Sequence, residues 1–308
     1  MIFAWPAQPV IWILAGLFGL LVVASVASRM MARAPGELRQ RIRTWWVMIA
    51  VFALALFLDR VGAIALFGLV SFIAFKEYLS LIPTRRADRR VLFWAYLAIP
   101  GQYLWVAEDW YGMFLIFIPV YLFLGLALRM VIDGATEGFL RAVGTLHWGL
   151  MITVFSLSHG AYLLNLPAEG NPAAGGVGLL TFLVVLTQAN DVLQYVWGRT
   201  LGRHPVIPKV SPNKTWEGLI GGVATTTLAA LLLAPLLTPF SLWHSLLAGL
   251  LIGIAGFFGD VTISAVKRDL GVKDTSTLLP GHGGMLDRVD SLTFTAPLFF
   301  HFTYYLYY

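Results

Sequence analysis

Residues 44–82, TWWVMIAVFALALFLDRVGAIALFGLVSFIAFKEYLSLI, form one apolar stretch interrupted mainly by Asp59-Arg60 and Gly62. As one bent helix with a re-entrant segment, it would put its two flanking basic segments on opposite faces of a membrane. As two spans, near 44–59 and 61–82, it returns them to the same face. Residues 29–43 carry Arg29, Arg33, Arg39, Arg41 and Arg43, and residues 83–90 carry Arg85, Arg86, Arg89 and Arg90. Lys and Arg in short loops concentrate on the cytoplasmic side. Two spans are therefore predicted.

Working outward, apolar runs near 9–28, 91–107, 112–131, 143–165, 176–197, 218–237, 243–266 and 289–308 each approach the roughly 20 residues needed to cross a bilayer. The predicted fold class is an all-α polytopic membrane protein of about ten transmembrane helices, or nine if 44–82 is merged. In the ten-span arrangement all but two of the 21 Lys and Arg residues fall on one face, and both termini are predicted to be non-cytoplasmic. The exceptions are Arg60, at the tight external turn, and Lys76, inside the third span. Loops 107–111, 166–175 and 238–242 hold no Lys or Arg but include Glu108, Asp109 and Glu169. Met1 to Gln8 lack the basic residues of a signal peptide, so the first helix is read as retained.

Composition agrees. Hydrophobic residues make up 58% of the 308 and charged residues only 12%, at a mean hydropathy of +0.78. A soluble domain carries about 25% charged residues, so lipid must solvate much of this surface. The chain has no cysteine, which excludes disulfides, thiolate metal sites and a catalytic thiol. The simplest division is one integral membrane domain, with N-terminal transmembrane helices over 1–175 and a C-terminal transmembrane catalytic region over 176–308.

Ionisable residues are sparse, so their clustering is informative. Residues 259–291, GDVTISAVKRDLGVKDTSTLLPGHGGMLDRVDS, place Asp260, Asp269, Asp274, Asp287 and Asp290 among Lys267, Arg268, Lys273, His282 and Arg288. Lys and Arg neutralise phosphate oxygens, and carboxylates without thiols or paired histidines favour a hard cation such as Mg²⁺. Three glycines around His282 predict a backbone that turns sharply and approaches a ligand closely. Asp260 lies in an apolar span, where a carboxylate is costly and marks function; its structural alternative is a partner for a buried Lys or Arg. Asp287 and Asp290 are three apart and share a helix face, and one such charge is explained by a helix N-terminus alone.

A second cluster begins at Asp191 and continues through residues 198–218, GRTLGRHPVIPKVSPNKTWEG. Ser211-Pro212 predicts a turn at a helix start, where N–H groups and Lys214 can hold an anion. Taken alone this segment is equally a capped helix with a snorkelling lysine. His147, His159, His244 and His301 lack metal-ligand spacing and read as structural. Arg85-Arg86 and Arg89-Arg90 read as anchors to anionic headgroups, and the Trp and Tyr residues as an interfacial belt.

The run Ser264-Ala265-Val266-Lys267-Arg268, then Lys273-Asp274, then Leu279-Pro280-Gly281-His282-Gly283-Gly284-Met285-Leu286-Asp287-Arg288-Val289-Asp290 resembles the signature of the phosphatidate cytidylyltransferase family. Asp191, Gly198-Arg199, Ser211-Pro212, Lys214-Thr215-Trp216-Glu217-Gly218 and Gly259-Asp260 are similar to its other motifs. The likeness covers roughly residues 185–295. Two positions depart from it: Ile263, where the family usually has glutamate, and Gln194, where it tends to have alanine.

The resemblance implies transfer of the cytidylyl group of CTP to phosphatidic acid, giving CDP-diacylglycerol and pyrophosphate in phospholipid biosynthesis. It implies catalytic roles for Lys267, Arg268, Lys273, Asp274, His282 and Arg288. It implies substrate binding by Asp191, Arg199, Ser211, Lys214, Thr215, Ser264, Gly283 and Gly284. Asp260, Asp287 and Asp290 would hold Mg²⁺, with room for a second cation. A homodimer and a bacterial inner (plasma) membrane location go with it, and nucleic acid is not an expected partner. The departures leave open a divergent paralogue acting on a different lipid phosphate. A transporter is the rival class, but the charges gather at one face rather than the midplane, and no inverted repeat is visible.

Overall fold

The computed structural model describes residues 3–30, 36–83, 89–132, 134 and 136–308. Arg33, Arg85 and Arg86 lie outside the described residues. Helices α1 (Gln8–Met30), α2 (Gly36–Phe57), α3 (Arg60–Leu81), α4 (Arg89–Ala107), α5 (Tyr111–Ile132) and α6 (Phe139–Asn165) form the N-terminal part. Helices α7 (Gly175–Leu201), α8 (Trp216–Leu237), α9 (Leu242–Asp269), the short α10 (Leu286–Val289) and α11 (Leu292–Tyr307) complete the chain. Each predicted span has a helix in place. The protein is an all-α, multi-pass membrane protein.

Among the described residues eight helices are long and apolar enough to cross a membrane. The other two are α4 and α11. Helix α4 opens on Arg89-Arg90 and carries Pro100 and the buried Gln102. Helix α11 has 16 residues, about 24 Å at 1.5 Å per residue, short of a hydrocarbon core of roughly 30 Å.

The break inside 44–82 falls where the sequence predicts. Asp59 caps α3, its Oδ1 accepting from the Gly62 amide at 2.8 Å, and α2 ends at Phe57. An aspartate N-cap satisfies an N–H that would otherwise be orphaned. Arg60 then donates to Asn165 Oδ1 at 3.2 Å and to the Ala107 carbonyl at 3.1 Å, tying three loops together at this end. At the opposite end, Thr44, two turns into α2, donates to the Pro280 carbonyl at 2.7 Å. Arg268 Nε there reaches the Val210 carbonyl at 3.2 Å. The basic segments around α2, 198–217 and 267–288 thus meet at one end of the molecule.

The segment 198–217 contains a hairpin. Strand β1 (Pro205–Ile207) pairs antiparallel with β2 (Ser211–Thr215), Pro205 opposite Thr215 and Ile207 opposite Ser211. Ser211-Pro212 is therefore strand, not the turn at a helix start; the turn is closed by the Val210 amide on the Ile207 carbonyl at 3.1 Å. Helix α8 begins at Trp216 and is capped by Thr215, whose hydroxyl accepts from the Gly218 amide. Glu217 accepts from the Arg203 amide at 3.0 Å and pairs with His204 at 2.5 Å, holding the hairpin against the helix.

Helix α9 packs hard against the junction of α10 and α11. A Cβ at Gly259 would lie 2.6 Å from the Asp290 carbonyl oxygen and 3.0 Å from Ser291 Cα, so only glycine permits this approach. Asp260, the next residue, is carried with it. Of the isolated histidines, fully buried His159 bonds the Phe155 carbonyl at 2.8 Å, and His244 bonds Tyr307.

Because the chain lacks cysteine, single cysteines report orientation directly. Glu169→Cys is expected to react with a membrane-impermeant maleimide on intact cells. Lys209→Cys is expected to react only after the membrane is opened.

Candidate active site

A cavity of about 500 Å³ opens between α7, strand β2, α8 and α9. Its wall includes Asp191, Gln194, Tyr195 and Arg199 from α7, Ser211, Lys214 and Thr215 from β2, and Asp260 from α9. Six of the residues singled out in the sequence therefore share one cavity: Asp191, Arg199, Ser211, Lys214, Thr215 and Asp260. Lys214 is part of its wall. Its ammonium pairs with Asp260 Oδ2 at 2.6 Å and donates to Gln194 Oε1 at 3.3 Å. Burial works against the charge on Lys214, but the carboxylates of Asp260, Asp191 and Asp290 overcome it and hold its pKa above the ordinary lysine value. Ser264 donates to Asp260 Oδ1 at 3.3 Å, and Ser291 to Asp191 Oδ1 at 2.9 Å.

The second part of the site is the loop between α9 and α10. The Leu279 amide bonds the Gly283 carbonyl at 2.8 Å and the His282 amide the Leu279 carbonyl at 2.9 Å, which closes a tight turn around His282. Gly281 and Gly283 have φ of +76° and +78°, a region other residues enter only with strain. Beneath the turn lies Asp287. Its Oδ2 accepts from the amides of Thr275 and Gly284 at 2.8 and 2.9 Å and lies 2.9 Å from the Thr275 hydroxyl. Its Oδ1 accepts from Lys267 at 2.7 Å. The pair is well buried, with side chains 12% and 3% exposed. Removing either partner would strand the other charge, a cost of about 3–5 kcal/mol.

The two parts adjoin. Gln188 of α7 donates to the Arg288 carbonyl at 3.2 Å, and Asp191 is tied to Ser291 just beyond α10. Asp290, 6% exposed, accepts from the Ser291 amide at 2.8 Å. Arg288 lies close enough to act electrostatically on both Asp290 and His282. Arg268 is turned outward to the Val210 and Val272 carbonyls, and Lys273 and Asp274 are exposed on the loop. Among the described residues no three His, Asp or Glu side chains converge to hold a metal ion. Asp260, Asp287 and Asp290 are thus not a preformed cage; two of them are paired with lysines instead.

Two residues outside the predicted set belong to the site. Gln194, noted above only as a departure, is 3% exposed and helps hold Lys214. Glu77, on α3, is 6% exposed and accepts from the Met285 and Leu286 amides, both at 2.9 Å. The signal for Glu77 was present: a carboxylate within an apolar span, the same feature that marked Asp260. Ile263 is buried in the core at 1% exposure.

Residues 39–306 match the description "Cytidylyltransferase family". The chain belongs to the cytidylyltransferase family. It is 33% identical over 258 residues to a phosphatidate cytidylyltransferase of Brucella abortus, covering 82% of this chain and 90% of that one. It is 32% identical over 294 residues to a phosphatidate cytidylyltransferase of Haemophilus influenzae, covering 87% and 99%. It is also similar to the Uncharacterized protein YnbB of Escherichia coli, 48% identical over 297 residues, covering 95% and 97%. The protein is accordingly a membrane-embedded nucleotidyltransferase, which decides against the transporter reading. Helix α1 precedes the region that matches the family.

Acid sensitivity follows from two groups in the loop. Burial together with Arg288 and Arg41 lowers the His282 imidazole to about 4. Burial raises the Asp287 carboxyl, but Lys267 and the Gly284 and Thr275 amides outweigh it and leave it below the usual aspartate value. Each folded pKa lies below its unfolded one, so each contribution to stability is complete above the unfolded pKa and is lost as pH falls through the folded one. The window for His282 runs from 6.5 down to about 4, and that for Asp287 begins below 3.8. The melting temperature in detergent is expected to fall across the first window, and less steeply in His282→Asn.

Proposed function

We propose that this protein is a phosphatidate cytidylyltransferase, converting CTP and phosphatidic acid to CDP-diacylglycerol and pyrophosphate at the cytoplasmic face of a bacterial inner membrane. The observation that carries this reading is the cavity itself. A polar, lysine-bearing pocket lies at the end of the helices where the basic segments meet, bounded by helices that enter the lipid. A lipid phosphate cannot leave the bilayer and CTP cannot enter it, so such a pocket lets both reach one site. Irregular backbone is tolerated at that depth because it lines water.

In the reaction a phosphate oxygen of the lipid attacks the α-phosphorus of CTP, forming one P–O bond while the bond to the β-phosphate breaks and pyrophosphate leaves. No covalent enzyme intermediate is required, so the protein's contribution is positioning and charge stabilisation. Lys214, held between Asp260 and Gln194, is placed to accept a phosphate in its cavity, with Arg199, Ser211 and Thr215 on the same wall. Lys267 and Arg288, with the exposed Arg268 and Lys273, would meet the remaining phosphates, and Asp274 would act there through a bound cation. His282 braces the glycine turn beside them.

The residues fit a divalent cation. Among the described residues Asp260 Oδ2 and Asp287 Oδ1 each face one lysine ammonium, so each is a carboxylate oxygen with capacity left for a cation that arrives with phosphates. Mg²⁺ is commonly bound by one or two carboxylates plus substrate oxygens, so no three-ligand cage is needed. When bound it would neutralise charge on the phosphates, with Asp290 and Asp191 as supporting carboxylates. A second cation and a homodimer belong to the same proposal. So does the division into membrane helices 1–175 and a catalytic region 176–308.

Purified protein with CTP, phosphatidic acid and Mg²⁺ is expected to release pyrophosphate and form a CDP-lipid. Asp260→Asn and Asp287→Asn should each lower kcat by about a hundredfold or more while the protein stays folded. Turnover of CTP with another lipid phosphate but not with phosphatidic acid would favour the divergent-paralogue reading that Gln194 and Ile263 raise.

A further inference from the structure

We propose that Glu77 is a positioning residue for this site: from α3 it fixes the loop 275–286, and through that loop the carboxylate of Asp287. The proposal rests on the function proposed above. Glu77 Oε1 accepts from the Met285 amide at 2.9 Å and the Ser276 hydroxyl at 2.7 Å. Its Oε2 accepts from the Leu286 amide at 2.9 Å and lies 3.2 Å from the Thr275 hydroxyl. Both oxygens are thus engaged by neutral donors of one loop. A buried carboxylate is costly and is kept where its hydrogen bonds replace the lost hydration. With both oxygens so engaged, Glu77 acts as an anchor rather than a metal ligand.

What the anchor holds is the part of the loop that also holds Asp287. The Thr275 hydroxyl sits between Glu77 Oε2 and Asp287 Oδ2. The Gly284 amide donates to Asp287 Oδ2, and a Cβ at Gly284 would collide with Glu77 Oε2 and the Thr275 hydroxyl. Gly284 is therefore glycine because Glu77 comes so close. The two carboxylates grip opposite sides of one short segment, and Asp287 then presents Oδ1 to Lys267. A second clamp, Thr44 of α2 on the Pro280 carbonyl, holds the far side of the turn. Helices α2 and α3, from the N-terminal part of the chain, thus set the geometry of a loop in the C-terminal part.

The test is amide hydrogen exchange of the full-length protein in detergent, beside initial rates, for the wild type, Glu77→Gln and Glu77→Asp. Glutamine keeps the size but turns an NH₂ group toward donors. Exchange at Met285 and Leu286 is expected to quicken by about tenfold or more in Glu77→Gln while α9 and α11 stay protected. Its kcat is expected to fall about a hundredfold, with KM for phosphatidic acid little changed. Aspartate, which keeps the charge on a shorter arm, should restore part of both. If Glu77→Gln does not fold, Ser276→Ala, which removes one donor, should move both readouts in the same direction by less. Unchanged exchange in the loop, a loosened loop with kcat intact, or a uniform loss of protection across all helices would each overturn the proposal. An inactive wild type would instead overturn the function proposed above, and the exchange of Met285 and Leu286 would still decide whether Glu77 anchors the loop.

Discussion

A carboxylate in a low-dielectric setting must be paired with a cation or surrounded by donors, and this protein uses both solutions within one site. Asp260 and Asp287 are paired with Lys214 and Lys267. Glu77 is surrounded by amides and hydroxyls of the loop 275–286. The difference has chemical consequences. An ion pair with a flexible lysine can be reorganised when other charges enter, whereas a carboxylate oxygen saturated by backbone amides cannot move without the backbone. The arrangement therefore leaves Asp260 and one oxygen of Asp287 able to exchange partners, while Glu77 and the other Asp287 oxygen keep theirs.

That separation depends on close backbone approaches. Gly259 lets α9 touch the start of α11, which brings Asp260 toward Asp290 and Asp191. Gly283, at positive φ, and Gly284, beneath Glu77, let the loop fold over Asp287. The hairpin 205–215 supplies Lys214 from outside the helix bundle, and Glu217 locks it to the head of α8. Long apolar helices and a polar hairpin thereby share one cavity.

Much of this was legible in the residues. The alternation of basic and acidic loops divided 44–82 into two helices, and Asp59 caps the second of them. Asp191, Arg199, Ser211, Lys214, Thr215 and Asp260, far apart in the chain, line a single cavity. The hairpin was not legible, because strands of three and five residues with a proline in each leave no periodic apolar pattern. Nor was the pairing of Asp260 and Asp287 with lysines, since charge spacing along a chain does not say which opposite charge lies across a gap.

By itself the sequence determined that the chain crosses a membrane many times, which end carries the polar segments, and which motifs could meet phosphates. Those properties depend on local composition: apolar length, charge per loop, and residue types at short spacing. Only the tertiary structure decided that Glu77, a lone carboxylate within an apolar helix, lies 2.9 Å from amides 208 and 209 residues away. The reason is physical. Solvation by lipid depends on how many apolar residues stand in a row, whereas the solvation of one buried charge depends on donors that helix packing brings to it.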